Sequence, residues 1–529
     1  MSHSGYDAVI VGGGHNALVC GAYMARAGKR VLVLERRTMI GGAAVSEEVW
    51  PGYKVSIASF VMALLQPKVI LDLELKKYGL EVLPAPPLFM PLPDGRSVTF
   101  WPDQEKMRDE IARISPADGS VYLDYRKHME GLAPYLQRLI WETPPNVGSR
   151  RPKDLLALLK LAVRYWDIGP KFYDFYDVLT QSAYDFLGRW FENDTVKAML
   201  SYYAGGGGGN GSPKTPTTAY ALLRPYVRDH GTAAGGAGFV RGGMGGISDA
   251  IAASGRAYGL EIRTDAEVHR IILENEQATG VELASGERIM ASAVIANADA
   301  KTTFLKLIGK DALPIDFAAA IQSFRTTSSV FKVNLAVSEL PRYTAFDPKT
   351  AGFDYPVQVR IGSSIDYLER AFDDSKYGGI ARNPLMTVMA PSVLDSTVAP
   401  PGMHLLSIFG GHVAYDLKDM DWETGREVLY DRVMDTLETY APGMRQRVVH
   451  RQILAPPDFE RILSLPGGHV HHGDITVDQI FFRRPAPGYA DYRTPFKNLY
   501  LASASVHPGG GVTGVPGHNA AKVILGDLK

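Results

Sequence analysis

Gly12, Gly14 and Ala17 stand at the spacing Gly-x-Gly-x-x-Ala, and Glu35 closes the apolar run that follows. Residues of these types at this spacing bind rather than react. Gly12 permits a tight turn, Gly14 lets backbone approach a pyrophosphate, and a small residue at 17 lets helix and strand pack closely. The phosphates then rest on the free N–H groups and positive dipole end of a helix. A carboxylate about 20 residues beyond the glycines accepts hydrogen bonds from an adenosine ribose and repels a 2′-phosphate. A second set, His469, His471 and His472 with Asp474, could hold a metal. One short loop rarely completes such a site, so no metal is expected.

The elements that must position the first set are legible around it. Ala8 to Val11 reads as a strand, a helical pattern follows the glycines, and Val31 to Leu34 reads as the next strand. A chain with 54 glycines produces the fingerprint by chance; the complete order of strand, turn, helix and strand makes this one a dinucleotide site. Arg36, Arg37 and the Gly41-Gly42 doublet with Ala43 point to FAD, because a second loop near the phosphates suits a ligand extended across the domain.

At 529 residues the chain is too long for one simple core. With 46% hydrophobic and 21% charged residues and a net charge of −1, it is of ordinary globular composition and gives no footprint for nucleic acid. Cys20 is the single cysteine, which excludes an intrachain disulfide or a zinc–cysteine site and suits a reducing compartment. The first strand begins almost at once, leaving no room for a leader. A cytoplasmic location is expected, or the mitochondrial matrix if import needs no evident transit peptide. No run of about 18 apolar residues predicts a membrane span.

Ala43 to Phe60 predicts strands around Pro51-Gly52 that lead away from the phosphates. From Leu64 longer helical patterns begin an inserted domain. Within it, Asp154 to Trp166 sets Leu155, Leu158, Leu159, Ala162 and Trp166 on one face, with Arg150, Arg151, Lys153, Lys160, Arg164 and Lys171 in or beside the segment. A helix with its apolar face on the core is the expectation; peripheral contact with an anionic membrane through 153–171 is the alternative. The glycine-rich stretch from Ala204 to Tyr220 lacks the Gly-Lys-Ser/Thr order of a P-loop and reads as a loop. Phe239 to Ile251 reads as the return to the cofactor domain rather than a second dinucleotide site.

Strand-like runs follow at Leu260–Arg263, Ala266–Leu273, Ala278–Leu283 and Arg288–Ala296, with Val268 expected beside the adenine and Asn297 near the phosphates. Further strands are expected at Ser328–Val337 and Met403–Gly411. Asn498 to Ser505 then forms a strand ending in small residues, and the glycines from His507 to Gly517 lead into a helix from His518. That order suits a flavin ring at a helix N-terminus.

Three passages together resemble the phytoene desaturase-type flavoproteins, a branch of the amine-oxidase-like FAD superfamily: GGGHNALV with ERRTMIGG, GGMGGISDAI, and the long run from GGHVHHGD to VPGHNAA. The resemblance covers essentially the whole chain. It implies an α/β fold with a Rossmann-like, two-dinucleotide-fold FAD domain (1–63, 235–300, 496–529) and an inserted α+β substrate domain (64–234, 301–495). An apolar substrate would lie over the flavin, and the chemistry would be desaturation, saturation or isomerisation of a carbon–carbon bond.

The segment around Lys332 resembles the amine-oxidase strand whose lysine faces the flavin through water, which keeps an amine oxidase open. A flavin-containing regulatory protein with little turnover is the alternative of another class. His472, Asp478 and His507 are further candidates for acid–base or polar positioning roles. His15, Asn16, Ala504, Gly511, Val512 and His518 join the cofactor contacts already named. So does Ser503, where the family pattern leads one to expect glycine.

Overall fold

The computed structural model describes residues 5–204, 211–227 and 238–528. Part of the glycine-rich stretch, 205–210, and the domain boundary expected at 234/235 lie outside the described residues. The first apolar run forms β1 (Tyr6–Val11), the helix is α1 (His15–Arg26), and the second run is β2 (Val31–Leu34). Val9, Ile10, Val33 and Leu34 are wholly or almost wholly buried, as parallel strands covered on both faces require.

Five more strands complete the sheet: β3 (Glu261–Arg263), β4 (Val268–Glu274), β5 (Gln277–Leu283), β6 (Arg288–Ala296) and β7 (Leu499–Leu501). The order is β4, β5, β6, β1, β2, β3, with β7 also paired to β6. β7, β6, β1, β2 and β3 are parallel. Val11 pairs with both Ala296 and Leu34, and Ala296 pairs with Leu501, so the carboxyl ends of four strands finish at one level. Ligands of open α/β sheets bind outside such an edge.

The last helix, α2 (Val515–Asp527), lies on α1. Gly517 makes this possible, since a Cβ there would stand 2.2 Å from the Asn16 carbonyl oxygen. Gly21 on α1 has a similar role, where a Cβ would stand 2.8 Å from Leu260. The expected return helix runs from Gly245 to Ala257. Ser56 and Ser46 hydroxyls accept from the Met244 and Gly245 amides, and Asp395 accepts from Gly242. These amides are thus held by the protein.

The second sheet runs in the order 448–454, 330–337, 404–413, 380–389, 358–361, 88–91 and 97–100. Its side chains alternate between two faces, with register shifts at 336/337 and 380/385. Phe331, Val333, Leu335 and Val337 face the helix Trp422–Tyr440 with Leu406, Ile408 and Val388. Lys332, Phe409, Thr387 and Arg360 are paired in one row across the opposite face.

The expected burial of helix 152–164 differs from what is found. Pro152–Arg164 has no buried residue, and Leu159 and Val163 are 61% and 68% exposed. Its leucines spread around more than one face, and only Asp154, Ala157, Leu158 and Leu161 are half-covered. No helix among the described residues is long and apolar enough to cross a membrane.

Gly517→Val inserts atoms where helix meets helix. It is expected to lower stability by about 2–3 kcal/mol, as overpacking does, measured by denaturant unfolding with the flavin content followed in parallel.

Candidate functional site

A continuous cavity of about 1270 Å³ begins at the aligned strand ends and continues under the second sheet. The α1 N-terminus opens into it. Gly14 is its N-cap, no side chain caps it, and its first turn holds no acidic residue, so its amide donors and dipole are left for an anion. Gly12 has φ +91°, a left-handed turn suited to glycine, and its amide donates to the Leu34 carbonyl at 2.7 Å. A Cβ on Gly14 would stand 2.8 Å from Asn297 Nδ2. The Gly41-Gly42 doublet closes over this loop: the Gly41 amide donates to the Gly13 carbonyl at 2.9 Å, and a Cβ on Gly42 would lie 3.1 Å from Gly14 Cα.

Glu35 accepts from the Gly13 amide at 2.7 Å and the Arg37 amide at 2.9 Å, which fixes its carboxylate on the cavity wall with acceptor capacity to spare. Ala43, Arg36, Val268, Asn297, Ala504, Gly511, Val512, His15, Asn16 and His472 line the same cavity. His15 Nε2, Asn16 Oδ1, Asn297 Oδ1 and His472 Nδ1 are buried there without a hydrogen-bond partner. Buried polar atoms left unpaired are costly, and a dinucleotide laid along the wall would satisfy them. Burial, with His472 as a lesser cause, lowers His15 to about 4; burial, then Arg484 and His469, lowers His472 to about 3. Both rings are neutral near pH 7.

The remaining candidates stand off the cavity. Ala17 packs in the core beneath the fingerprint, and Gly41 supports the loop through its backbone. Arg37 pairs with Glu47 at 2.7 Å. Ser503 is fully buried and accepts from the Ser505 amide at 3.1 Å, so the position where glycine was expected holds a turn while Ala504 meets the cavity.

His518 was expected at the flavin edge. It instead packs between Tyr23 and Trp141, at 4.9 and 4.8 Å, beside Asn519, because its place on α2 faces α1. His507 gives its Nε2 hydrogen to the Leu139 carbonyl at 2.8 Å and is lowered to about 4 by burial. Asp478 pairs with Arg325 at 2.7 Å on a half-exposed surface, and that guanidinium holds it down to about 2. Neither His507 nor Asp478 reaches the cavity.

Lys332 is fully buried with its Nζ donating to the Ser56 carbonyl and, at 3.4 Å, to that of Ser59. Those residues bracket Ala58, on the cavity wall. Burial lowers this amine from 10.5 to about 7. His469 turns to Asp474 at 3.1 Å, which also meets Arg325. No group of three or more His, Cys, Asp or Glu among the described residues is placed to hold a metal.

Sequence reading missed Arg484. It is fully buried without a carboxylate partner among the described residues, and donates to the carbonyls of His471, His472, Gly473, Asp474, Gln479 and Ala504. One side chain thus ties the histidine loop to the end of β7. Nothing in a lone arginine signals such a role; only the converging carbonyls do.

Sheet order, uncapped helix and anchored acidic residue define a dinucleotide-binding α/β protein. Comparison with known proteins agrees: residues 18–525 match the model of the flavin containing amine oxidoreductases, and the chain belongs to that family. It is an FAD-dependent oxidoreductase. It is 37% identical over 547 residues to pyridine nucleotide-disulfide oxidoreductase domain-containing protein 2 of Rattus norvegicus, across 99% of this chain and 94% of that one. It is 25% identical over 543 residues to a lycopene-forming phytoene desaturase of Pseudescherichia vulneris, across 98% and 99%. The cyclohexylamine oxidase structure from Brevibacterium oxydans matches in fold, with TM-score 0.57 and 15% identity, covering 99% of each chain. The disulfide in the rat protein's name has no counterpart within this chain. Cys20 is alone and buried, its thiol pushed up to about 12 by burial.

FAD would be held by the α1 amides, Glu35 and the wall from Gly42 to Val268, and when bound supplies hydride acceptance. Glu35→Ala is expected to weaken FAD about 10-fold or more, the cost of about 1.4 kcal/mol or more in lost hydrogen bonds, read by flavin retained on dialysis. Lys332 carries a folded pKa below its unfolded one, so between about 7 and 10.5 the unfolded chain binds the extra proton. Stability from this group therefore rises with pH across that window, and Lys332→Met flattens the slope in denaturant titrations at stepped pH.

Proposed function

We propose that this enzyme acts on a carbon–carbon bond of an apolar substrate, by desaturation or the related saturation or isomerisation. The carrying observation is the far half of the cavity, where Leu88, Phe100, Met199, Leu200, Leu222 and Phe409 form an apolar chamber continuous with the cofactor cradle. Such a wall seats an apolar tail so that a C–H bond can meet the flavin. His472 supplies a neutral imidazole on the cavity wall, able to position a polar group beside the reacting bond by hydrogen bonding. The likeness to a phytoene desaturase supports the same chemistry.

A second reading, oxidation of an amine, is favoured by buried Lys332 beneath Ala58. The two separate experimentally. Small molecules that copurify with the protein, identified by mass and returned to it without oxygen, are expected to be apolar and to bleach the flavin. Bleaching by amines with hydrogen peroxide release, lost in Lys332→Met, overturns the first reading in favour of the second. No bleaching by either class points to a flavin-containing regulatory protein.

We also propose that the bare helix rests on an anionic lipid surface. Leu155, Leu159, Val163, Trp166, Phe172 and Tyr173 are exposed, and Arg150, Arg151, Lys153, Lys160 and Lys171 are exposed beside them. Aromatic and apolar groups framed by cations suit that surface. The protein is expected to sediment with phosphatidylglycerol vesicles and not with phosphatidylcholine vesicles, and Trp166→Glu with Leu159→Glu to release it. Equal sedimentation of the double variant, or a dimer that the variant dissociates, contradicts this.

A further inference from the structure

Arg360 sits on the short strand Gln358–Ile361 with 9% of its surface exposed. Its guanidinium lies over the rings of Tyr203, Phe100 and Tyr202, at 4.4, 5.0 and 5.0 Å from their centroids. Its Nε has no hydrogen-bond partner, and no carboxylate among the described residues pairs with it. Gln358 stands on the same strand face, and both line the cavity.

A buried charge in this state is costly unless paired. Aromatic faces recover part of that cost, but rings stacked on a planar guanidinium leave its N–H edges unsatisfied. Those edges form a rigid fork whose natural complement is a carboxylate held in the same plane.

Among the described residues no carboxylate pairs with this guanidinium. Of the cavity's acids, Glu35 is engaged with two backbone amides, Asp299 with Ser505 and Glu460 with Tyr415 and Gly467, while Glu267 is exposed and stands next to Val268 on the cofactor side. Arg126, another cation of the lining, already has Glu130 at 2.7 Å.

Register places Arg360 relative to the chemistry. The row Lys332, Phe409, Thr387, Arg360 spans adjacent strands, so the strand bearing Arg360 lies three strand spacings, about 14 Å, from the one bearing Lys332. A ligand headed at Arg360 and reaching the wall near Lys332 needs a long apolar body.

We propose that Arg360 is the head-group site for the substrate, a long-chain carboxylic acid bound as its carboxylate, with Phe100, Tyr202 and Tyr203 as the aromatic cage. This rests on the apolar-substrate reading above and narrows it: the reacting bond lies in the tail, and the charged end fixes which carbon reaches the flavin. Arg360 acts as a specificity residue that leaves hydride transfer itself to the cofactor.

The test compares dodecanoate with dodecanol, alike in tail and different in head, by calorimetric titration of the FAD-loaded protein. Wild type is expected to bind dodecanoate about tenfold or more tightly than dodecanol, and Arg360→Gln to remove that preference while dodecanol affinity holds. Arg360→Lys, which keeps charge but loses the fork, is expected to weaken dodecanoate several-fold with FAD content intact.

A wild type without head-group preference overturns the proposal. So does an Arg360→Gln protein that keeps the preference, or, if that variant fails to fold, an Arg360→Lys protein with unchanged dodecanoate affinity. The readout needs no turnover. Absent preference with flavin still bleached by apolar compounds defeats this inference alone, whereas preference with no bleaching defeats the carbon–carbon reading alone.

Discussion

The structure depends on one close approach: the N-terminal turn of α1 meeting the start of α2, with Gly517 seated against the Asn16 carbonyl. No side chain larger than hydrogen fits there, so the first and last segments of a 529-residue chain are brought within backbone contact. The same meeting sets β7 beside β6 and puts the 502–512 loop at the mouth of the strand ends. An uncapped helix terminus is costly in isolation. Here it is the reason for the cradle, because the unsatisfied donors, the Gly13-anchored Glu35 and the polar atoms of His15, Asn16 and Asn297 share one wall.

The second sheet gives that cradle something to act on. One face, with Phe331, Val333, Leu406, Ile408 and Val388, buries against the helix Trp422–Tyr440, which frees the opposite face to roof a chamber. Along that face polarity changes in steps, from the buried amine of Lys332 through Phe409 and Thr387 to the caged guanidinium of Arg360. Arg484 performs a complementary task, gathering carbonyls from the histidine loop and Ala504 into one rigid unit. Such networks are rigid when every donor is met.

What the sequence made legible is what local chemistry encodes. The Gly12–Gly14 turn, Glu35, the Gly41–Gly42 doublet and the strands at 268–296 each follow from a few neighbouring residues, and all were readable. Lys332 was readable only by resemblance. Asp478 and His518 differ from expectation because each lies several residues beyond the lining residues His472 and Val512, and their side chains turn to Arg325 and to Tyr23 and Trp141. Helix 152–164 misled because periodicity reports amphipathicity and says nothing about whether a partner face exists. Arg360 and Arg484 were invisible: one is defined by strand register across four chain segments, the other by carbonyls from three.

The central claim is that both chain ends grip a single FAD. A density map of the FAD-loaded protein tests it most directly. The pyrophosphate is expected on the Gly12–Gly14 turn with the adenosine ribose at Glu35, and the flavin ring against Ala504 and Gly510–Val512 at the mouth of the apolar chamber. A nicotinamide nucleotide in that groove, or a flavin ring seated away from the C-terminal glycines, would contradict it.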